Sequence, residues 1–289
     1  EGSVSHVTLW NAGLKAGCIV SNLHVRDSPE TTRSCIDSLR PRVLVVDEER
    51  SAFVEEHVYD RISTDLAAVV TLGEPQTDYE TAMASLVADQ PADEPDVNVG
   101  PDDAAAVIWT SGTTGEPKGW THTNRALMHR ASKLAHKKGM TRRTRVPNVF
   151  SPSFAAWYST TLPALLSNAA SYFLPDWEPE RYVECIQERG ITTANLVPTM
   201  WREILRLEDL DQYDLSSLRE IEAAGETLDA TTLTNLRERI CSSVSQSYAA
   251  TETCGTNISN DEIGTDRLES VGKPLVGIRI CLFQETAAP

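Results

Sequence analysis

The sequence predicts an α/β fold, a layered sandwich of mostly parallel sheets with flanking helices. Short β-rich runs alternate with helix-like stretches along the whole chain. Several of those runs, Val43–Val46 and Ala104–Thr110 among them, read as buried strands. A chain of 289 residues, 40% of them hydrophobic, can also bury a sizeable core without disulfides or structural metals.

The elements follow in order. Val43–Val46 is a strand ending at Asp47, and residues 67–71 form the next. Residues 104–110 form a third, with a helix starting near Thr123. Residues 154–174 hold no ionisable acid or base other than Tyr, but they contain Pro163, Asn168 and several hydroxyls. That composition predicts a buried helix followed by a strand, not a membrane span. Phe150 and residues 172–174 are further strand candidates, as are residues 192–197, Ile221 and residues 244–248. Pro179 sits at the first turn of a helix flanked by Glu178 and Glu180, with Val183 and Ile186 inward and Gly190 as its stop. Asp229 is the candidate N-cap of a helix to Ile240, with Leu233, Leu236 and Ile240 on one face. No internal repeat is visible.

Charge narrows the function. There are 42 Asp and Glu against 26 Lys and Arg, a formal net charge of −16. That balance argues against nucleic acid as the main partner, because a polyanion would be repelled. Only six of the 26 basic residues are Lys, a composition suited to solubility in high salt. Residues 74–103 carry nine acids, four prolines and no Lys or Arg, which predicts a solvated linker or loop. Residues 117–175 are the reverse, with nine Lys and Arg and no Asp or Glu. They predict a local positive field suited to a phosphate-bearing ligand. The six cysteines are scattered without a CxxC, as expected of free thiols in a reducing cytoplasm. His122, His129 and His136 are seven apart, whereas zinc sites on helices favour a spacing of four.

The basic segment opens on TSGTTGEPKG at residues 110–119. Gly112, Gly115 and Gly119 let the backbone turn tightly and bring N–H groups close to an anion. Ser111, Thr113 and Thr114 add hydroxyl donors, and Lys118 adds a mobile point charge for β- or γ-phosphates. This is not the common P-loop, because Gly119 stands where that motif needs a Mg²⁺-binding hydroxyl after the Lys. A kinase-like or ordinary NTPase reading is therefore disfavoured.

TSGTTGEPKG resembles the phosphate-loop signature of the adenylate-forming superfamily, which includes acyl-CoA synthetases, peptide-synthetase adenylation domains and luciferase-like enzymes. The likeness continues through LKAGCIVSNLHVRDSPE and LRPRVLVVDEE upstream, and through WTHTNRAL and ITTANLVPTMWREIL downstream. It covers essentially the whole chain. Ala223-Ala224-Gly225-Glu226-Thr227-Leu228 is similar to the family's adenine-binding turn, with Thr227 where Pro is usual. Small residues there let a flat ring approach the backbone, and Glu226 offers an acceptor to an exocyclic amine. Residues 248–252 resemble the family's Tyr-Gly-x-Thr-Glu, with Ala249 in the place of Gly. Tyr248 offers an aromatic face to a purine, Thr251 a hydroxyl to the α-phosphate, and Glu252 a hard carboxylate for Mg²⁺. VGKPLVG at 271–277 resembles a structural turn of the family.

The resemblance implies an ATP- and Mg²⁺-dependent enzyme that converts a small carboxylic acid to an acyl-adenylate. A thioester with coenzyme A would follow, with a carrier-protein thiol as the other acceptor. A nucleotide-binding homologue without turnover is a further reading. Thr110, Ser111, Gly112, Thr113, Thr114, Gly115 and Lys118 would hold the phosphates; Gly225, Glu226, Thr227, Tyr248 and Ala249 would hold the adenine side. Lys118, Thr251 and Glu252 would act in catalysis. Phe154, Ala155, Trp157, Ala223 and Ala224 would border the acid, which is left open because Ala155 takes the place of the family's usual His. Residues 1–289 would be part of the large N-terminal domain, its first portion and the small C-terminal domain lying outside this sequence.

Overall fold

The computed structural model describes residues 2–111, 116–260 and 270–281. They divide into two compact units, Ser3–Thr123 and the chain from Asn124 onward.

The first unit opens with α1 (Val4–Lys15), capped by the Ser3 hydroxyl, which accepts from the His6 N–H. After β1 (Val20–Ser21), α2 (Pro29–Leu39) has Ser28 as its N-cap and Pro29 in its first turn. Next come β2 (Val43–Val46), α3 (Ser51–His57), β3 (Ala68–Thr71), β4 (Glu80–Ala82) and the short α4 (Met83–Val87). β2, β3 and β4 form a parallel sheet in that order. Ile36, Val46, Val54, Val58 and Val69 make its core. Part of the acidic stretch 74–103 is therefore ordered: Glu80 is buried in β4, and the ring of Tyr79 stacks on Tyr59 at 3.8 Å. Acid content alone gives no sign of this, because the anchoring comes from tyrosines brought together by folding.

β5 (Ala104–Ser111) and β6 (Pro117–Thr123) pair antiparallel, and β1 joins β5 on its other side. The expected order of strand, loop and helix is thus corrected: a second strand, paired antiparallel with the first, precedes the helix. The next helix, α5 (Asn124–Lys137), begins where the sequence places it, but β6 intervenes. Gly119 permits this pairing, because a Cβ there would meet Val107 Cγ1 at 2.9 Å and the Trp109 ring at 3.2 Å.

The second unit continues with β7 (Arg145–Asn148), α6 (Ala155–Leu166), β8 (Ala170–Phe173), α7 (Pro179–Arg189), β9 (Thr193–Leu196) and α8 (Pro198–Leu205). β10 (Glu220–Ala224), α9 (Ala230–Arg239), β11 (Val244–Ala250), β12 (Gly255–Asn260) and β13 (Lys273–Pro274) complete it among the described residues. The helix–strand pair expected across 154–174 is α6 and β8. Phe150, a strand candidate, follows β7 instead of lying within it. Gly190 closes α7 with φ +57°, and the Asp229 carboxylate caps α9 by accepting from the Thr232 N–H at 2.8 Å.

β9, β10 and β11 run parallel, with β12 and β13 antiparallel beyond them. Side chains alternate across the sheet. Ile221, Ala223 and Val244 face α7, α8 and α9, where Tyr182, Ile186, Trp201, Ile204, Leu233 and Leu236 are fully buried. Burying side chains of this size stabilises by about 1.5–3 kcal/mol each. The opposite face is polar: Glu220, Glu222 and Ser245 meet Lys137 at the end of α5, and Ser247 donates to Glu222. The unit is thus layered as helices, sheet and helices.

Candidate nucleotide site

The phosphate-loop residues lie in the first unit. Thr110 and Ser111 end β5, and Lys118 stands on β6 directly opposite Thr110. Lys118 is exposed, and the Trp120 indole N–H donates to Thr110 Oγ1 at 3.1 Å. Gly112, Thr113, Thr114 and Gly115 fall outside the described residues.

In the second unit, the parallel register sets Ala224 beside Ser247 at the carboxyl ends of β10 and β11. The segments leaving these two strands are therefore adjacent: Gly225, Glu226 and Thr227 after β10, Tyr248 and Ala249 at the end of β11. The carboxyl edge of parallel strands is where open α/β sheets bind ligands, because side chains and backbone groups from several loops converge there. Gly225 has φ +94°, a left-handed conformation that disfavours any Cβ. Glu226 is exposed and its Oε2 accepts from Thr199 Oγ1 at 2.7 Å and from Arg202 at 3.3 Å. Arg202 also lies 3.5 Å from Asp229, the α9 cap. Thr199 and Arg202 hold this turn from α8; the segment ITTANLVPTMWREIL that carries them resembles the family, but nothing in it assigns them to Glu226.

Tyr248 is 50% exposed, so its ring is offered to solvent at this edge. The ladder slips between Tyr248 and Ala249, a β-bulge that re-aims the residues beyond it. Thr251 and Glu252 then sit on a single 3₁₀ turn ended by Cys254 at φ 59° and Gly255 at φ +102°. Glu252 is exposed, and its carboxylate has no hydrogen-bond or ion-pair partner among the described residues. Among those residues no group of three or more His, Cys, Asp or Glu is placed to hold a metal. A cation here would therefore draw on Glu252, phosphate oxygens and water, which suits Mg²⁺, an ion that keeps several waters.

The acid-side residues separate. Phe154 is 50% exposed at the N-cap of α6, with Ala155 partly covered behind it. Trp157 and Ala223 are fully buried; Trp157 meets Tyr158 edge-on at 5.0 Å and Ala223 belongs to the sheet core. Ala224 is partly exposed at the strand end.

The acid-free segment is used inwardly more than its composition indicates. Lys138 Nζ lies 2.5 Å from Glu222, and Lys137 lies 3.5 Å from Glu222 and 3.4 Å from Glu220. Ser247 also donates to Glu222. Burial opposes the Glu222 charge, but Lys138, Lys137 and these hydrogen bonds outweigh it and hold the carboxyl well below the usual carboxylate range. Arg130 and Lys133 are buried as well. Four of the nine basic residues thus brace the fold, and the surface field they would have made is reduced.

The family model for AMP-binding enzymes matches residues 1–288. The chain belongs to the AMP-binding enzyme family. Among relatives of this AMP-binding enzyme, the 3-hydroxybenzoate–CoA ligase of Aromatoleum sp. (strain CIB) is 28% identical over 297 residues, covering 100% of this chain and 55% of the relative. The N-(5-amino-5-carboxypentanoyl)-L-cysteinyl-D-valine synthase of Amycolatopsis lactamdurans is 28% identical over 211 residues, covering 70% of this chain and 6% of that synthase. The crystal structure of the anthranilate CoA ligase AuaEII in complex with anthranoyl-AMP superposes with a TM-score of 0.87 at 24% identity, over 95% of this chain and 53% of that one. The last likeness bears on fold. The chain spans about half the length of the first curated relatives it matches. No helix of the described residues is long and apolar enough to cross a membrane.

Proposed function

We propose that this chain is part of the large domain of an enzyme that activates a small carboxylic acid with ATP. The observation that carries the reading is the carboxyl edge of β10 and β11. It sets Gly225 and Glu226 beside Tyr248, one turn before the unpartnered Glu252. The open backbone at Gly225 and the half-exposed Tyr248 ring suit a purine. Glu226 Oε1 remains to accept from an amine while Oε2 is held by Thr199 and Arg202. Thr251 binds the α-phosphate, Glu252 the Mg²⁺, and Thr110, Ser111 and Lys118 the outer phosphates.

The reaction needs little covalent work from the protein. A carboxylate oxygen of the acid attacks the α-phosphorus, the bond from that phosphorus to the bridging oxygen breaks, and pyrophosphate leaves. Positioning and neutralisation of charge carry such a step. Mg²⁺ supplies charge stabilisation on the phosphates when bound. A thiol sulfur then attacks the acyl carbon, the bond from that carbon to the AMP oxygen breaks, AMP leaves and the thiol proton passes to solvent. Coenzyme A is the favoured acceptor, since the 3-hydroxybenzoate–CoA ligase matches over the full chain; a carrier-protein thiol is the second reading, favoured by the likeness to the Amycolatopsis synthase.

The test is titration of the chain with MgATP, and acid-dependent pyrophosphate release by the complete gene product. Lys118→Ala and Glu252→Gln lie at exposed positions, so each is expected to weaken MgATP binding about tenfold or more with the melting temperature unchanged. MgATP binding that survives both substitutions at full strength overturns the assignment.

A further inference from the structure

A buried guanidinium lies under the turn that carries Thr251 and Glu252. Arg130, on α5, is 1% exposed. One terminal nitrogen donates to the Ala155 carbonyl and to Ser159 Oγ at 2.6 Å, tying α5 to the first turns of α6. The guanidinium carbon lies 5.8 Å from the Tyr158 ring centroid. On its other side it meets Gly255: a Cβ built there would fall 2.5 Å from the guanidinium carbon. The chain passes from Glu252 to Gly255 through Cys254, itself buried and at positive φ.

Two features set Arg130 apart from an ordinary packing residue. No oxygen accepts from its Nε or Nη1 and no carboxylate pairs with it among the described residues; the polar side chain against it is the Cys254 thiol. A buried cation without a counter-charge is costly, and an apolar side chain of similar volume is often neutral or better for stability. It also occupies the space a side chain at 255 would need, so its close approach to this left-handed backbone requires glycine there.

We propose that Arg130 is a positioning residue for the Thr251–Glu252 turn, a strut that fixes where the Mg²⁺-binding carboxylate stands relative to the start of α6. Arg130 does not itself reach the nucleotide. It acts through Cys254 and Gly255, and through Ala155, a residue assigned to the acid side. The strut thereby couples the metal-binding turn to the acid-binding segment. The metal-binding consequence rests on the nucleotide reading given above, whereas the placement of the turn does not.

The experiment compares the wild-type chain with Arg130→Met and Arg130→Lys. Hydrogen–deuterium exchange of the Cys254 amide, which donates to the Thr251 carbonyl at 3.0 Å, reports whether the turn stays seated. The Mg²⁺ concentration needed for ATP binding reports the carboxylate, and the melting temperature reports the fold. Arg130→Met should speed exchange of the Cys254 amide and raise the Mg²⁺ requirement, each about tenfold, which is about 1.4 kcal/mol. Its melting temperature should stay close to wild type, and Arg130→Lys should restore part of both losses. Unchanged Cys254 protection in both variants overturns the strut. So do changes that merely follow a fall in melting temperature and that Arg130→Lys does not repair. If wild type binds no MgATP, the nucleotide reading fails, and the Cys254 comparison still decides the strut.

Discussion

Glu222→Gln removes a buried carboxylate that both Lys137 and Lys138 approach. Glu222 is 2% exposed, and Lys138 and Lys137 reach it at 2.5 and 3.5 Å with their own side chains 4–5% exposed. Breaking a buried pair by removing one partner costs about 3–5 kcal/mol, because the other charge stays buried and uncompensated. At about 2–4 °C per kcal/mol for a unit of this size, the melting temperature should fall by roughly 6–20 °C. Thermal unfolding followed by circular dichroism measures it. The paired variant Glu222→Met with Lys138→Met should recover most of the loss, since the shortest ion pair is replaced by apolar groups while Lys137 keeps Glu220 at 3.4 Å. The sign with pH follows from the depressed native pKa of Glu222. Its contribution is fully present above the ordinary Glu value of about 4.3 and is lost as pH falls below that value toward the native one. The Glu222→Gln deficit should therefore shrink in acid. A deficit under about 1 kcal/mol at neutral pH, typical of exposed pairs, would refute the reasoning, as would a paired variant no more stable than Glu222→Gln.

Three other outcomes are expected. Gly225→Ala forces a side chain into φ +94° with its Cβ 3.4 Å from Val197 Cγ1, so stability should drop by about 1–2 kcal/mol in a denaturant titration, and MgATP binding should weaken with it. Asp229→Ala removes the α9 cap and one partner of Arg202, for a loss of about 1 kcal/mol read from the same titration. With iodoacetamide at pH 8, exposed Cys18 and Cys281 should react first; Cys35, whose thiol is pushed up to about 12 by burial and then by nearby Asp27, should react only as the protein unfolds. Peptide mapping that finds Cys35 modified at the rate of Cys18 would contradict its burial.

Much of the fold is legible in the residues themselves. The strand at Val43–Val46, the helix stopped by Gly190 and the cap at Asp229 depend on local preferences, which neighbours in sequence express directly. The family follows in the same way, because TSGTTGEPKG is a contiguous string whose spacing survives any packing. The order of residues also carries the two turns at 223–228 and 248–252. What the chain alone did not reveal is that the parallel register of β10 and β11 lays those turns side by side.

Tertiary structure decided the rest, for a common reason: a side chain's role depends on what approaches it from distant sequence. Lys137 and Lys138 look like surface charge until β10 brings Glu220 and Glu222 beneath them. Lys118 reads as a loop residue until β6 folds back on β5 and sets it opposite Thr110. Trp157 reads equally as pocket or core, and packing against Tyr158 makes it core. Arg130 has no motif at all; its meaning arises only because Gly255, 125 residues later, leaves a gap of the size of a guanidinium. Composition and spacing thus determined the chemistry this chain can offer, and long-range packing determined which of its charges face inward and which remain for a ligand, since burial and pairing are properties of the folded neighbourhood and not of the residue.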